Sequence, residues 1–167
     1  MKKITFGWII VIMAVLFLQA QDAQNTQNTQ NIRDAINFTA VDISGENIEL
    51  FAYKDKVVLL DFWATWCGPC RREIPNLIDI KNTFKNLPFE IISIALERGN
   101  IDYARLFVKD QKMDWIHIID LTTGKQIAEK YHIMYIPSIF LIKNGKILAS
   151  DLRGEELKEK IKQLLQK

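Results

Sequence analysis

Cys67 and Cys70 are the only two cysteines in the 167-residue chain, and they stand three apart in Trp66-Cys67-Gly68-Pro69-Cys70. Residues so spaced at a helix start share one face, so the pair can close to a disulfide or open to a dithiol with little backbone movement. The two sulfurs are not equivalent. Cys67, at the helix mouth, has its thiolate stabilised by free N–H groups and the positive end of the dipole, whereas Cys70 lies a turn inside. That asymmetry separates an attacking thiol from a resolving one. Two blander uses compete with it. Zinc would need two further ligands, for which the sequence offers the imidazoles of His117 and His132. A purely structural bridge between residues three apart closes a tiny loop and stabilises little.

The elements that must hold the pair are a buried strand and a helix. Val57-Val58-Leu59-Leu60-Asp61-Phe62-Trp63 is an apolar run with one acid, the pattern of a strand covered on both faces. Pro69 suits the first helical turn, and Ile74, Leu77, Ile78 and Phe84 form a stripe beyond it. Pro75 falls inside that helix, where it removes a backbone bond and favours a kink, and Leu87-Pro88 closes the element.

The remaining chain alternates the same two patterns. Asn37 to Asp42 and Asn47 to Leu50 alternate around Ser44-Gly45 as a hairpin. Phe89 to Leu96 reads as a second buried strand, followed by Ile101, Ala104, Phe107 and Val108 at helical spacing. A short strand over Trp115 to Ile119 and a short helix over Gly124 to Tyr131 follow. Ile136-Pro137 introduces the strand Ser138 to Ile142, and Asn144-Gly145 predicts a type I′ turn into Lys146 to Ala149. Leu157, Ile161, Leu164 and Leu165 mark a final amphipathic helix with Glu155 and Glu156 at its start. Strands alternating with helices and ending in a hairpin define an α/β sheet with helices on both faces.

The N-terminal residues have a different character. Lys2 and Lys3 account for the whole formal charge of +2, so nothing argues for a nucleic-acid partner. They precede an uncharged run from Ile4 to Leu18 and then Gln19-Ala20, the pattern of a secretory signal peptide over residues 1–20 with Ala20 the last residue removed. As a helix the run reaches only about 22 Å, short of the ~30 Å hydrocarbon core, although an uncleaved segment over residues 4–18 would tether the chain to a membrane. Neither cysteine lies near its end, which excludes lipid attachment there. Residues 21–35, dominated by Gln-Asn-Thr repeats, read as a flexible polar spacer, and residues 36–167 as one domain. With 49% hydrophobic residues that domain can bury a sizeable core.

Asp61-Phe62-Trp63-Ala64 running into Trp66-Cys67-Gly68-Pro69-Cys70, with Ile136-Pro137 some seventy residues later, resembles the thioredoxin fold. The export signal, the extra N-terminal hairpin, Arg71-Arg72-Glu73-Ile74-Pro75 and Asp114-Trp115 resemble, more narrowly, the TlpA/ResA-like thiol-disulfide oxidoreductases. The resemblance implies a central mixed β-sheet with helices on both faces and an added N-terminal β-hairpin. It implies Cys67 as nucleophile and Cys70 as resolving thiol, with Pro137 in cis and Ile136 available to pair with a substrate strand. Trp66, Gly68 and Pro69 then border the docking surface, and Trp63 packs.

Asp61, in the middle of an apolar strand, is expected to have a raised pKa and to take the proton of Cys70. The competing expectation is a buried acid satisfied by backbone or by Lys56. Glu73 is a second candidate, a modulator of the thiols, against which stands a solvated acid paired with Arg72 or Lys81. Relatives with a functional Glu there commonly carry a neutral residue at the Asp61 position, so the two acids stand as alternatives.

The function expected is exchange of a dithiol with disulfides of exported client proteins, in the reducing direction because Gly68-Pro69 is the thioredoxin dipeptide. Cytochrome c maturation is one such client pathway. No cofactor or metal is expected. A membrane thiol-disulfide electron donor would regenerate the dithiol in the periplasm or another extracytoplasmic space. Two alternatives are a peroxiredoxin-like peroxidase, suggested by Thr65 two residues before Cys67, and a tethered binding module with vestigial cysteines.

Overall fold

The computed structural model describes residues 33–166. The expected signal segment and residues 21–32 of the spacer lie outside that range. Eight strands are described: β1 (Arg33–Asp34), β2 (Thr39–Val41), β3 (Asn47–Glu49), β4 (Val57–Trp63), β5 (Phe89–Ala95), β6 (Ile116–Ile118), β7 (Ser138–Lys143) and β8 (Lys146–Ser150). Four α-helices join them: α1 (Gly68–Phe84), α2 (Asp102–Asp110), α3 (Leu121–Lys130) and α4 (Gly154–Leu165). Six strands form one sheet in the order β1-β8-β7-β4-β5-β6, while β2 and β3 pair only with each other. Within the large sheet β4, β5 and β6 are parallel, and β7, β8 and β1 run antiparallel to their neighbours. The expected mixed sheet with an added hairpin is therefore the observed architecture.

Side chains alternate across β4 and divide the core in two. Val58, Leu60 and Phe62 enter a layer with Ile127, Ala128 and Tyr131 of the α3 region and with Ala40 and Ile48 of the hairpin. Val57 and Leu59 enter the opposite layer with Leu77, Ile80 and Phe84 of α1 and Leu157, Ile161 and Leu164 of α4. Trp63 continues this second face into a cluster with Cys67, Cys70 and Ile74, roofed by Ala104, Phe107 and Val108 of α2. Burying a side chain such as Leu59 or Ile80 contributes roughly 1.5–3 kcal/mol, so both layers are needed to order the sheet.

The turns follow their residue chemistry. Asn144 and Gly145 both have positive φ, 52° and 71°, as the β7–β8 turn requires. Asp42 Oδ1 accepts hydrogen bonds from the Ser44 and Glu46 N–H groups and so shapes the β2–β3 loop. At Gly124 a Cβ would lie 3.0 Å from the Ala95 carbonyl oxygen, a contact that only glycine avoids as α3 packs on β5.

Three expectations change. The domain starts before Ile36: Arg33 and Asp34 pair with Ile147 and Lys146 of β8, and the buried Ala35 donates its N–H to the Gly145 carbonyl. The spacer assignment is thus too long at its end, because the open edge of β8 recruits polar residues through their backbones, which composition does not register. Helix α3 starts at Leu121 rather than Gly124, since the Asp120 side chain accepts the Thr123 N–H at 2.7 Å and caps it. Strand β6 is shorter than Trp115 to Ile119. Pro75 lies inside α1 as expected, its lost bond falling on the Arg71 carbonyl. Among the described residues no helix is long and apolar enough to cross a membrane.

Candidate active site

Cys67 is the N-cap of α1, with Pro69 in the first turn, and its sulfur accepts the Cys70 N–H at 3.2 Å. One of the helix's free donors is thus satisfied by the sulfur itself, the contact that would stabilise a thiolate there. Cys67 and Cys70 form a disulfide with a Cα–Cα distance of 5.3 Å, and both are buried. The Ile136–Pro137 peptide bond is cis, and the Ile136 carbonyl oxygen lies 3.8 Å from Cys67 Sγ. Two segments almost seventy residues apart therefore meet at the reactive sulfur, and a polypeptide backbone laid beside Ile136 would be carried to it.

An open groove of about 820 Å³ leads away from this point, lined by Trp66, Arg98, Leu121, Ile133, Met134 and Ile136 among others. Trp66 is 48% exposed and carries the Arg98 guanidinium 4.2 Å from its ring centroid. Gly68 and Pro69 are exposed beside it. Trp63, by contrast, is buried against Phe107 at 5.9 Å between ring centroids, which makes it a packing residue.

Asp61 sits between Leu59 and Trp63 on the face of β4 that α1 covers, the face to which Cys70 and Ile74 belong. Its Oδ2 accepts the Ser93 hydroxyl at 3.2 Å, and Ser93 Oγ accepts the Trp115 indole N–H at 2.8 Å. Burial pushes the Asp61 carboxyl up to about 7; Ser93 and the positive charge of Arg153 pull against that shift, and Glu73 adds to it. Lys56 is not its partner, because Lys56 and Lys81 both pair with Glu90.

Glu73 is half-buried and pairs with neither Arg72 nor Lys81. Its Oε1 accepts the Asn76 side-chain amide at 2.6 Å and the Gly154 N–H at 3.1 Å, so it caps α4 from α1. Arg153, next to that cap, donates to the Pro137 carbonyl at 2.6 Å and to the Leu152 carbonyl at 2.7 Å. His117 is buried on β6, where burial lowers its pKa to about 4 and its Nε2 faces the Met113 carbonyl at 3.0 Å. A carbonyl only accepts, so Nε2 carries the proton. His132 lines the groove. Thr65 directs its hydroxyl to Glu97 Oε2 at 2.8 Å and its N–H to Glu97 Oε1 at 2.6 Å, an arrangement that occupies the hydroxyl a peroxidatic motif would use.

Ser93, Trp115 and Arg153 were not legible as site residues. Two signals existed, Trp115 in the Asp114-Trp115 pair that carries the resemblance and Ser93 as a small polar residue in an apolar strand, but only the parallel register that sets Ser93 beside Asp61 gives them meaning.

A cysteine pair at a helix mouth, opposed by a cis-proline on this sheet order, defines a thioredoxin-fold thiol-disulfide oxidoreductase. A model of the AhpC/TSA family matches residues 32–150. The ResA thiol-disulfide oxidoreductase of Bacillus thuringiensis subsp. konkukian is 36% identical over 137 residues, which cover 81% of this chain and 76% of that protein. The thioredoxin domain of a Bacteroides vulgatus thiol-disulfide oxidoreductase superposes with a TM-score of 0.72 at 31% identity, covering 80% of this chain and 96% of that one. The solution structure of a thiol:disulfide interchange protein from Bacteroides sp. gives 0.72 at 30% identity, with 84% and 93% covered. The chain belongs to the AhpC/TSA family and, within it, to the ResA-like thiol-disulfide oxidoreductases. That membership sets aside the binding-module alternative.

Proposed function

We propose that the enzyme reduces disulfides of exported client proteins, with Cys67 as nucleophile, Cys70 as resolving thiol and Asp61 as proton acceptor. The observation that carries this reading is the Cys67 sulfur at the N-cap of α1, receiving the Cys70 N–H. The Cys67 thiolate attacks one sulfur of the client disulfide, forming a mixed disulfide and releasing the other client sulfur as a thiolate that takes a proton from solvent. Cys70 then gives its proton to Asp61 and attacks Cys67 Sγ. The mixed disulfide breaks, the second client sulfur leaves and is protonated, and the Cys67–Cys70 disulfide remains. Two electrons have passed to the client. An acid held near 7 is half-ionised at neutral pH, so it can both accept that proton and return it.

The groove beside Trp66 and the Ile136 carbonyl supports docking of the client as a short added strand, with Trp66, Gly68, Pro69 and Pro137 as its border. Glu73 enters as a modulator through its charge on Asp61. Clients of cytochrome c maturation, whose haem-site cysteines must be delivered reduced, form the class that the family resemblance adds. Residues 1–20 would export the chain to the periplasm or an equivalent space, cleaved or as a tether, and a membrane electron donor would restore the dithiol.

Cys67→Ser should abolish insulin-disulfide reduction, and retained activity overturns the assignment. Cys70→Ser should accumulate mixed disulfides with clients. The direction is read from the reduction potential of the pair: a value below about −230 mV supports a reductant, and one above about −150 mV makes the enzyme an oxidant or isomerase.

A further inference from the structure

The buried acid is held by a chain of two donors whose directions are not interchangeable. The Trp115 indole N–H has no acceptor function, so in the 2.8 Å contact with Ser93 it is the donor and Ser93 Oγ the acceptor. With a lone pair of Ser93 committed to the indole, its single O–H is directed along the 3.2 Å contact to Asp61 Oδ2. Register supports the arrangement: Asp61 pairs with Ser93 across β4 and β5, and Ser93 pairs with His117 across β5 and β6. Ser93 is fully buried, so no solvent competes for its hydroxyl. Asp61 Oδ1 accepts no hydrogen bond from the described residues.

We propose that Trp115 and Ser93 are positioning residues for the thiol-disulfide exchange, fixing the Ser93 hydroxyl as a permanent donor to Asp61 Oδ2 and leaving Oδ1 as the oxygen that receives the Cys70 proton. The inference rests on the reading of Asp61 as proton acceptor. Its chemical content is a division of labour within one carboxyl group. A hydroxyl free to rotate could accept a hydrogen bond from protonated Asp61 and lock the acid in its neutral form. The indole biases it against that state, so the carboxylate stays accessible near neutral pH although burial favours the acid. Cooperativity along the chain strengthens the second bond, since an O–H whose oxygen accepts from an N–H is a better donor.

Other charges face the same group. Arg153, ahead of α4, favours the carboxylate, and Glu73 on α1 opposes it. His117 on β6 is neutral at these pH values. None of these is altered by removing the indole N–H, which makes the relay separable from them.

The test follows the Asp61 titration by carboxyl-carbon NMR in the reduced full-length chain, for wild type, Ser93→Ala, Trp115→Phe and the double variant. Ser93→Ala should raise the midpoint by about one pH unit, a tenfold change in acid dissociation constant, because a donor to the charged form is lost. Trp115→Phe should raise it in the same direction by less, and the double variant should match Ser93→Ala alone, since the indole acts only through Ser93. Additive shifts, or an unmoved midpoint in Ser93→Ala, overturn the relay. Trp115→Phe keeps an aromatic ring while removing the N–H, so if Ser93→Ala does not fold, an unmoved or lowered midpoint in Trp115→Phe overturns it instead. Asp61→Asn, assayed for the rate and pH profile of mixed-disulfide resolution, tests the underlying reading separately. An unchanged profile there removes the base, whereas an altered profile with unmoved Ser93→Ala and Trp115→Phe midpoints removes only the relay.

Discussion

Phe62 and Asp61 are neighbours on β4, both buried, and they point into opposite layers of the protein. On the Phe62 side the ring packs against Tyr131 at 5.7 Å and Phe140 at 6.1 Å, among apolar residues from α3 and the hairpin. The Tyr131 hydroxyl donates to the Ile36 carbonyl at 2.8 Å and ties the start of the domain to α3. On the Asp61 side the same sheet carries an acid, a serine hydroxyl and an indole N–H, under the helix that bears both cysteines. The first layer is a cluster of buried, almost entirely apolar side chains. The second holds a buried ionisable acid on the face that α1 covers. Stability and chemistry are thus assigned to different faces of one sheet, and each can be perturbed with little effect on the other.

The largest expected effect breaks the comparison from the apolar side. Phe62→Ala should destabilise the domain by about 3–5 kcal/mol, the cost of a large core cavity, in denaturant unfolding. The reduction potential of the cysteine pair should stay unchanged. A shifted potential would mean that the two faces are coupled after all.

Asp61 gives a second effect that depends on pH. Its folded pKa of about 7 lies above the ordinary carboxyl value of 3.8, so the folded chain binds this proton more tightly than the unfolded chain does. The stability it contributes is complete below the unfolded value and is lost as pH rises through about 7, a change on the order of 4 kcal/mol across that window. Asp61→Asn should flatten this slope and make the variant the more stable protein on the alkaline side, while slowing resolution of mixed disulfides by roughly tenfold or more. Unfolding free energies measured at several pH values check the first outcome, and a wild-type curve with no downward slope would contradict it.

Glu73 provides the smallest effect and separates the two acids. Because it caps α4 through the Gly154 N–H, Glu73→Ala should cost about 1 kcal/mol in thermal or denaturant unfolding. Because its charge raises the Asp61 pKa, the same variant should move the Asp61 midpoint down. A midpoint that rises, or a complete loss of exchange activity, would make Glu73 the working acid instead.

Much of this protein was determined by the sequence alone, wherever a local rule had no competitor. Cys67, Gly68, Pro69 and Cys70 specify a helix start with two thiols on one face, since spacing and capping are properties of a few consecutive residues. Asn144-Gly145 specifies its turn for the same reason, and the apolar run around Asp61 announces that a carboxyl group will be buried. The tertiary structure alone decided who meets whom. Arg33 and Asp34 read as spacer because backbone pairing to an open strand edge leaves no mark in side-chain composition. Glu73 read either as a modulator of the thiols or as a solvated acid, and it caps α4 only because the start of that helix meets α1. Ser93, Trp115 and Arg153 surround Asp61 from separate elements. Parallel register and helix packing, which bring together residues far apart in the chain, set those encounters.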